Sequence, residues 1–251
     1  MLKTAKTRDC EAYLALAAYY IDLACVFFGA SFPEPDASRR SRVARLFLSL
    51  WQNLRYAERF TDFEQMLARA LMESEAQTAS TDSPNPLVTQ LRHLTPRTRF
   101  AFLTYELEKW PLSDIARVLR TRMACLHRML SEARAELCGF SWGSLTEEER
   151  DCLEAVSYCL DQSPNLRSNR ALRNHLKTLP RVAQIRSDWL ELRPELVEVR
   201  LRYIPSQEAR EDLLRELYAA IENAPMERPP LVERVVNTIH LPRPARKNKV
   251  S

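Results

Sequence analysis

Residues 91–137 read LRHLTPRTRFAFLTYELEKWPLSDIARVLRTRMACLHRMLSEARAEL. From residue 112 onwards, apolar side chains recur at helical spacing on both sides of a break at 120–122. Because Ala116 is small, a second helix can approach the first closely and leave its N-terminal part projecting outward. The spacing therefore predicts a helix-turn-helix. The side chains of its shared apolar stripe are Ile115, Ala116, Leu119, Leu126, Leu130, Ala133 and Leu137.

The leading part of the second helix is predicted to face solvent. Side chains there could contact base edges in a DNA major groove, while Arg117 and Arg120 are placed to reach phosphates. Residues 87–137 carry nine basic and five acidic side chains, a local net charge of +4. Because a surface helix can carry solvated arginines without any function, charge alone leaves DNA binding open. The predicted exposed positions are Arg122, Ala124, Cys125, His127, Arg128 and Ser131.

The composition of the 251-residue chain favours helices over sheets and nucleotide-binding loops. It contains only 3 Gly, and hairpin turns and phosphate-binding loops depend on Gly for positive backbone φ. Most of the 15 Pro, Pro194 among them, lie between periodic segments, where they would delimit helices. A hydrophobic fraction of 45% and a charged fraction of 28% suit a globular protein. We therefore predict an all-α fold.

The apolar pattern divides the chain into two small helical domains and a C-terminal extension. A polar segment rich in Ser, Thr and Pro separates the two domains, as an interdomain linker does. The predicted units are an N-terminal helical domain at 1–75, a linker at 76–86, a helix-turn-helix domain at 87–140, a helical extension at 141–242 and a basic tail at 243–251.

The 91–137 stretch resembles the promoter-binding region four of extracytoplasmic-function sigma factors from bacteria. In that family a Leu-x-x-Leu-x-Pro-Arg-x-Arg opening precedes a helix that ends in an aromatic and an acidic residue. A Leu-Ser-x-x-x-Ile-Ala helix, a short turn and a recognition helix follow. The matching residues here occur in the same order without gaps. They are Leu91, Leu94, Pro96, Arg97, Arg99, Tyr105, Glu106, Leu112, Ser113, Ile115 and Ala116.

Residues 36–71 are similar to region two of the same family, the helices that grip the polymerase clamp and help to melt the promoter. The resemblance implies a transcription initiation factor whose partners are promoter DNA and core RNA polymerase, with an anti-sigma or other regulatory protein as a further partner. Leu50, Leu54 and Trp51 are nevertheless better explained as core residues than as wedges inserted into DNA. The implied polymerase-binding residues are Arg39, Arg40, Arg42, Leu46 and Trp51.

Two departures from the family pattern affect these expectations. Family members usually carry acidic residues and a Gln just after an Asp-Ala pair. The matching pair here is Asp36-Ala37, and it is followed by Ser38, Arg39, Arg40, Ser41 and Arg42. Since like charges across an interface can cost several kcal/mol, the reversed charge puts ordinary clamp binding in doubt. The Gly that usually ends the first helix of the pair is Arg120 here. A left-handed cap would cost a non-Gly residue about 1 kcal/mol or more, which predicts a different turn.

The sequence gives no sign of a membrane span or a cofactor site. Asp22 interrupts the longest apolar candidate, 13–28, which is shorter than the roughly 18 apolar residues that a spanning helix needs. We therefore expect a cytoplasmic protein without membrane association. The 6 Cys form no C-x-x-C pair and have no His at metal-ligand spacing, so we expect neither a metal nor another cofactor.

Three functions remain to be weighed. The first is a sigma-like initiation factor that binds promoter DNA and core polymerase. The second is a regulatory protein that keeps the sigma fold, has lost polymerase binding and acts through protein contacts. The third, an enzyme, is not expected, because the four His are far apart and no catalytic residue, paired-carboxylate motif or Gly-rich loop is visible.

Overall fold

The computed structural model describes residues 9–32, 35–54, 57, 59–74, 85–162 and 170–223. Within 159–162 and 170–173 it describes the backbone alone. The described part of the chain is helical and contains no strand, so the all-α prediction is confirmed. The predicted linker lies almost entirely outside the described residues, as does the basic tail at 243–251.

Eleven α-helices and one short 3-10 helix make up this part of the chain. The α-helices are α1 (Cys10–Ser31), α2 (Asp36–Asn53), α3 (Phe60–Glu73), α4 (Pro86–His93), α5 (Pro96–Glu106), α6 (Leu112–Val118), α7 (Met123–Leu137), α8 (Glu147–Gln162), α9 (Arg170–Thr178), α10 (Pro180–Tyr203) and α11 (Gln207–Asn223). The 3-10 helix, Trp142–Ser144, lies between α7 and α8.

Local chemistry explains where several helices begin. The side chains of Asp9, Asn85 and Thr95 accept hydrogen bonds from backbone N–H groups in the first turns of α1, α4 and α5. Proline also occupies the first turn of α4, α5 and α10, where its missing N–H costs nothing. The expected role of Pro as a helix delimiter holds at these positions.

Pro194 is an exception, since it lies inside α10 instead of ending a helix. The prediction of two helices on either side of it is therefore wrong. An internal Pro removes one backbone hydrogen bond and costs about 3 kcal/mol in an isolated helix. Here Trp189 before it and Leu196 and Val199 after it are all buried in the same core. Packing of both halves of the helix therefore outweighs the local preference.

The main hydrophobic core extends across the proposed domain boundary. Buried side chains of α1, α2 and α3 form one cluster with those of α4 to α7 and with parts of α10 and α11. Helix α1 is central to this cluster, and its Tyr13, Phe27 and Phe28 are among the largest fully buried side chains. A second, smaller cluster joins α8 and the start of α10 to the end of α7. The division into domains stays a prediction.

The C-terminal helices pack on the N-terminal ones. Helix α11 lies against α1 and α2, and an ion pair of 2.5 Å joins Arg210 to Asp22. The ring of Tyr203, at the end of α10, lies so close to Gly29 that a Cβ atom there would come within 2.3 Å of it. Gly29 therefore permits the close approach of α10 to α1. The extension is thus part of the folded body.

Helix α1 is long and apolar enough to cross a membrane by length and composition alone. The expectation that no such segment exists is corrected here, because Asp22 is too isolated to break the apolar character of 22 residues. In the most apolar window, 72% of the residues are buried inside the structure. Both a core helix and a leader segment near an N-terminus have such a composition.

Candidate nucleic-acid interface

Helices α6 and α7 are joined by the predicted apolar stripe. All seven stripe residues are buried, from Ile115 on α6 to Leu137 on α7, which confirms this part of the sequence prediction. Helix α5 lies beneath both helices and packs along α7. Since the stripe occupies one side of α7, the opposite side of its first two turns is left at the surface.

A buried ion pair fixes the later half of α7. The carboxylate of Glu106, the last residue of α5, accepts a 2.7 Å hydrogen bond from Arg134 on α7. The Arg134 guanidinium also lies over the ring of Trp189 from α10, 5.5 Å from its centroid. Losing one partner of such a pair would leave a buried charge without its counter-ion. The aromatic-acidic ending of α5 therefore serves to orient α7.

The turn between α6 and α7 is a Schellman motif that ends on Arg120. The N–H of Thr121 donates to the carbonyl of Ala116, and the N–H of Arg120 donates to that of Arg117. Arg120 has a φ of +49°, so it adopts the left-handed conformation that Gly usually supplies. The expected change of turn is absent. The chain keeps this turn with a non-Gly residue and accepts the backbone strain.

Side-chain hydrogen bonds brace this strained turn against α3 and α5. The Arg120 guanidinium donates to Oε1 of Gln65 at 2.7 and 3.0 Å, and Gln65 Nε2 donates to the Arg117 carbonyl at 3.2 Å. From the other side, Arg97 donates to the Leu119 carbonyl at 2.5 Å. The role of Gln65 was not predicted, because it precedes Arg120 by 55 positions and belongs to no motif.

Four of the predicted reading positions are exposed. Arg122, Ala124, Cys125 and Arg128 lie on the solvent side of the turn and the first two turns of α7. Met123, which the sequence pattern did not single out, is also exposed. Arg117 is exposed on α6 and pairs with Asp114 one turn earlier. The structure therefore leaves the predicted arginines Arg117, Arg120, Arg122 and Arg128 exposed on α6, the turn and the first two turns of α7.

Two other predicted positions are less accessible. Ser131 is fully buried and donates to the carbonyl of His127 at 2.9 Å, so its predicted exposure is corrected. His127 is half-buried because the ring of Tyr158, on α8, stands edge-on to it at 5.1 Å. Helix α8 belongs to the C-terminal extension, whose packing could not be deduced from the local pattern. The exposed positions among those predicted are thus limited to the turn and the leading turns of α7.

Arg128 affects the pKa of two carboxyl groups, those of Glu132 and Glu154. Burial raises the pKa of Glu132 and Glu136 raises it further, while Arg128 lowers it. Burial also raises the pKa of Glu154 on α8, again opposed by Arg128. Both acids therefore take up a proton at a higher pH than an exposed glutamate does. Arg128 itself extends toward the ring of Trp142, 6.0 Å from its centroid.

The positions implied to bind polymerase lie on α2 and face mostly inward. Arg39 is 7% exposed, pairs with Asp36 at 2.5 Å and lies over the ring of Tyr203. Arg42 lies over the ring of Phe32, 4.3 Å from its centroid, and is half-buried.

The other three of these positions are also covered to different degrees. Leu46 is buried, Arg40 is half-buried, and Trp51 is half-buried against Tyr13. Leu50 and Leu54 are buried, as expected of core residues. The cause of the burial is tertiary, since α1, α11 and the end of α10 all pack against this part of the chain.

The chain shows no match to any family model, to any curated protein or to any solved structure. The geometry of α6 and α7 and the motif they contain are therefore the basis for any statement about function.

Replacing Arg120 by Gly and by Ala tests the strained turn. Both variants lose the hydrogen bonds to Gln65, but only Gly adopts a positive φ without steric cost. We expect Arg120→Gly to be more stable than Arg120→Ala by about 1 kcal/mol. The midpoints of urea unfolding measure this difference. Equal midpoints would show that residue 120 does not hold the left-handed conformation.

Proposed function

We propose that the protein is a sigma-like transcription initiation factor that binds promoter DNA through the leading turns of α7 and core RNA polymerase through its N-terminal helices. The observation that carries the DNA-binding part is the exposure of Arg122, Ala124, Cys125 and Arg128 on a helix whose other side is fixed in the core. The ordered match of residues 91–137 to the sigma region-four pattern supports the assignment as a sigma-like factor.

The dimensions of α7 suit a major groove. Its first two turns rise about 10 Å, and a major groove about 12 Å wide admits one α-helix. The free N–H groups at its N-terminus add a partial positive charge that favours phosphate. Helix α7 therefore presents both its side chains and its helix end to a duplex.

The exposed side chains suggest separate roles. Arg128 lies on the second turn and has the fork geometry that pairs with guanine O6 and N7. The Ala124 methyl group suits contact with a thymine methyl. Arg117, Arg120 and Arg122, placed around the turn before α7, suit contacts to phosphates, which position the protein without reading sequence.

Replacing Arg122 and Arg128 by Ala separates these roles. Duplexes selected by the wild-type protein from a randomised library serve as the specific target, and scrambled duplexes as the non-specific one. We expect Arg128→Ala to weaken specific binding by about 1–3 kcal/mol and to lower the specificity ratio. Arg122→Ala should weaken binding to both duplexes alike and flatten the salt dependence of log K by about 0.9.

A double variant, Arg202→Gln with Arg215→Gln, is the matched control. It removes two positive charges from exposed positions of α10 and α11 and should change DNA binding little. Glu154→Gln should act in the opposite direction and tighten binding, because it removes a carboxylate beside Arg128. If Arg128→Ala keeps the wild-type specificity ratio, the assigned reading helix is wrong.

The second candidate is a regulatory protein that keeps the sigma fold, does not bind core polymerase and acts through protein contacts. The observation in its favour is the cover over α2, where Arg39 is buried against Tyr203 and α11 packs along the helix. With Arg39 buried and Arg40 and Arg42 half-buried, this segment offers a polymerase clamp few contacts and a reversed charge. The C-terminal helices would then serve as docking surfaces for other proteins.

A pull-down of core polymerase with the full chain, followed by in vitro transcription on DNA fragments, distinguishes the two candidates. The initiation factor should co-purify with polymerase and start transcripts. Absence of both polymerase binding and initiation would contradict the initiation factor and support the regulatory protein. Under either candidate the protein acts in the cytoplasm with the transcription apparatus, and α1 is a core helix.

A further inference from the structure

A basic cleft lies between α3 and the turn that joins α6 to α7. Its volume is about 580 Å³, and no residue of α7 lines it. Four arginines line it. They are Arg59, just before α3, Arg69 on α3, Arg97 on α5 and Arg120 in the turn. Met66 and Leu119 are among its apolar lining residues. The cleft therefore combines an apolar surface with a concentration of guanidinium groups.

The charge of the cleft is only partly neutralised. Arg59 pairs with Asp62 at 3.5 Å, and Arg69 pairs with Glu73 at 2.7 Å. Within the described part of the chain, Arg97 and Arg120 form no ion pair with a carboxylate. They are held instead by hydrogen bonds to uncharged groups, the Leu119 carbonyl and the Gln65 amide oxygen. Two positive charges are thus fixed in place beside two others, which raises the local potential for an anion.

We propose that this cleft is a phosphate-binding site. Guanidinium groups recognise phosphate oxygens through paired hydrogen bonds, and several of them around one concave surface favour a multiply charged anion. Arg97 also lies in the first turn of α5, where the helix end favours negative charge. The hydrogen bonds to Leu119 and Gln65 hold Arg97 and Arg120 in position before any ligand arrives.

Phosphate could reach the cleft from two sources. One is the backbone of a duplex, because Arg120 belongs both to the cleft and to the turn just before α7. In that case α3 extends the DNA contact beyond the helix-turn-helix, and this source rests on the proposed function. The other is a free phosphorylated molecule, which needs no DNA binding at all. A volume of about 580 Å³ is within the range of small-molecule pockets.

The test uses the double variant Arg59→Gln with Arg69→Gln in the full chain. Both side chains are largely exposed, 80% and 76%, so their loss leaves the core intact, which circular dichroism and urea unfolding verify. The Arg202→Gln, Arg215→Gln variant is the control with equal loss of charge. One arm titrates inorganic pyrophosphate by calorimetry at low salt. The other measures duplex DNA affinity across a salt series.

If duplex DNA is the source, the Arg59→Gln, Arg69→Gln variant, called the cleft variant, binds duplex DNA about tenfold or more weakly than the wild-type protein at 0.1 M salt, and the control does not. Its slope of log K against log salt is also flatter by about 1–2. A free-ligand source predicts that pyrophosphate binds the wild-type protein and the control, that the cleft variant binds it at least tenfold more weakly, and that DNA affinity is unchanged. Either result supports the proposal that the cleft binds phosphate.

The proposal is overturned if the cleft variant and the control behave alike in both arms. Pyrophosphate binding of equal, millimolar strength in all three proteins also overturns it, since such binding reflects general surface charge. In a further outcome, the wild-type protein binds no duplex, and only the cleft variant has a weakened affinity for pyrophosphate. Phosphate binding by the cleft is then supported, and the proposed DNA binding is contradicted. Absence of binding to both probes overturns the two proposals together.

Discussion

Arg99 is 3% exposed, and the hydrogen bonds of its guanidinium organise the centre of the molecule. It donates to the carbonyls of Leu91, Arg92 and Leu94 at 2.6–2.7 Å, which lie at the end of α4 and in the turn that follows. It also donates to the hydroxyl of Ser31 at 2.9 Å, at the end of α1. One buried cation thus fixes three chain segments. Lysine could not replace it, since it has three donors and no planar fork.

The position of α7 follows from this arrangement. Arg99 sets the angle at which α5 leaves the α4–α5 turn, and Glu106 at the far end of α5 holds Arg134 on α7. Because Leu126 and the later half of α7 are held in the core, the opposite side of its first two turns faces outward. The exposed start of α7 is thus a consequence of buried polar contacts, in addition to the apolar stripe.

The features predicted from the sequence are those that periodicity and short motifs can encode. The stripe, the break near Arg120 and the helical character of each segment all follow from local spacing. The features that were missed depend on segments distant in the chain, such as the cover of α8 over His127 and the continuity of α10 through Pro194. The motif included Arg99, but nothing in its local pattern indicated that its charge would be buried among carbonyls.

Helix α2 and the leading turns of α7 differ in their exposure to solvent. The C-terminal helices cover α2, where Arg39 is buried, and leave the leading turns of α7 and the cleft beside them exposed. The helix-turn-helix side therefore keeps exposed arginines that suit contact with an anionic partner. Charge supports the same distribution, since Arg39 is buried and Arg42 half-buried on α2, against aromatic rings or Asp36, whereas Arg122 and Arg128 are exposed.

Cross-linking from Cys125, an exposed thiol in the first turn of α7, tests most directly whether this helix contacts the major groove of a bound duplex. A photoreactive group attached there, with the Cys125→Ser protein treated identically as the control, is irradiated in complex with a selected duplex. If α7 reads the major groove, adducts form on major-groove base atoms within a few base pairs of one position in the binding site, and none form with the control. A duplex that binds tightly but gives no adduct dependent on Cys125 would contradict this placement of α7.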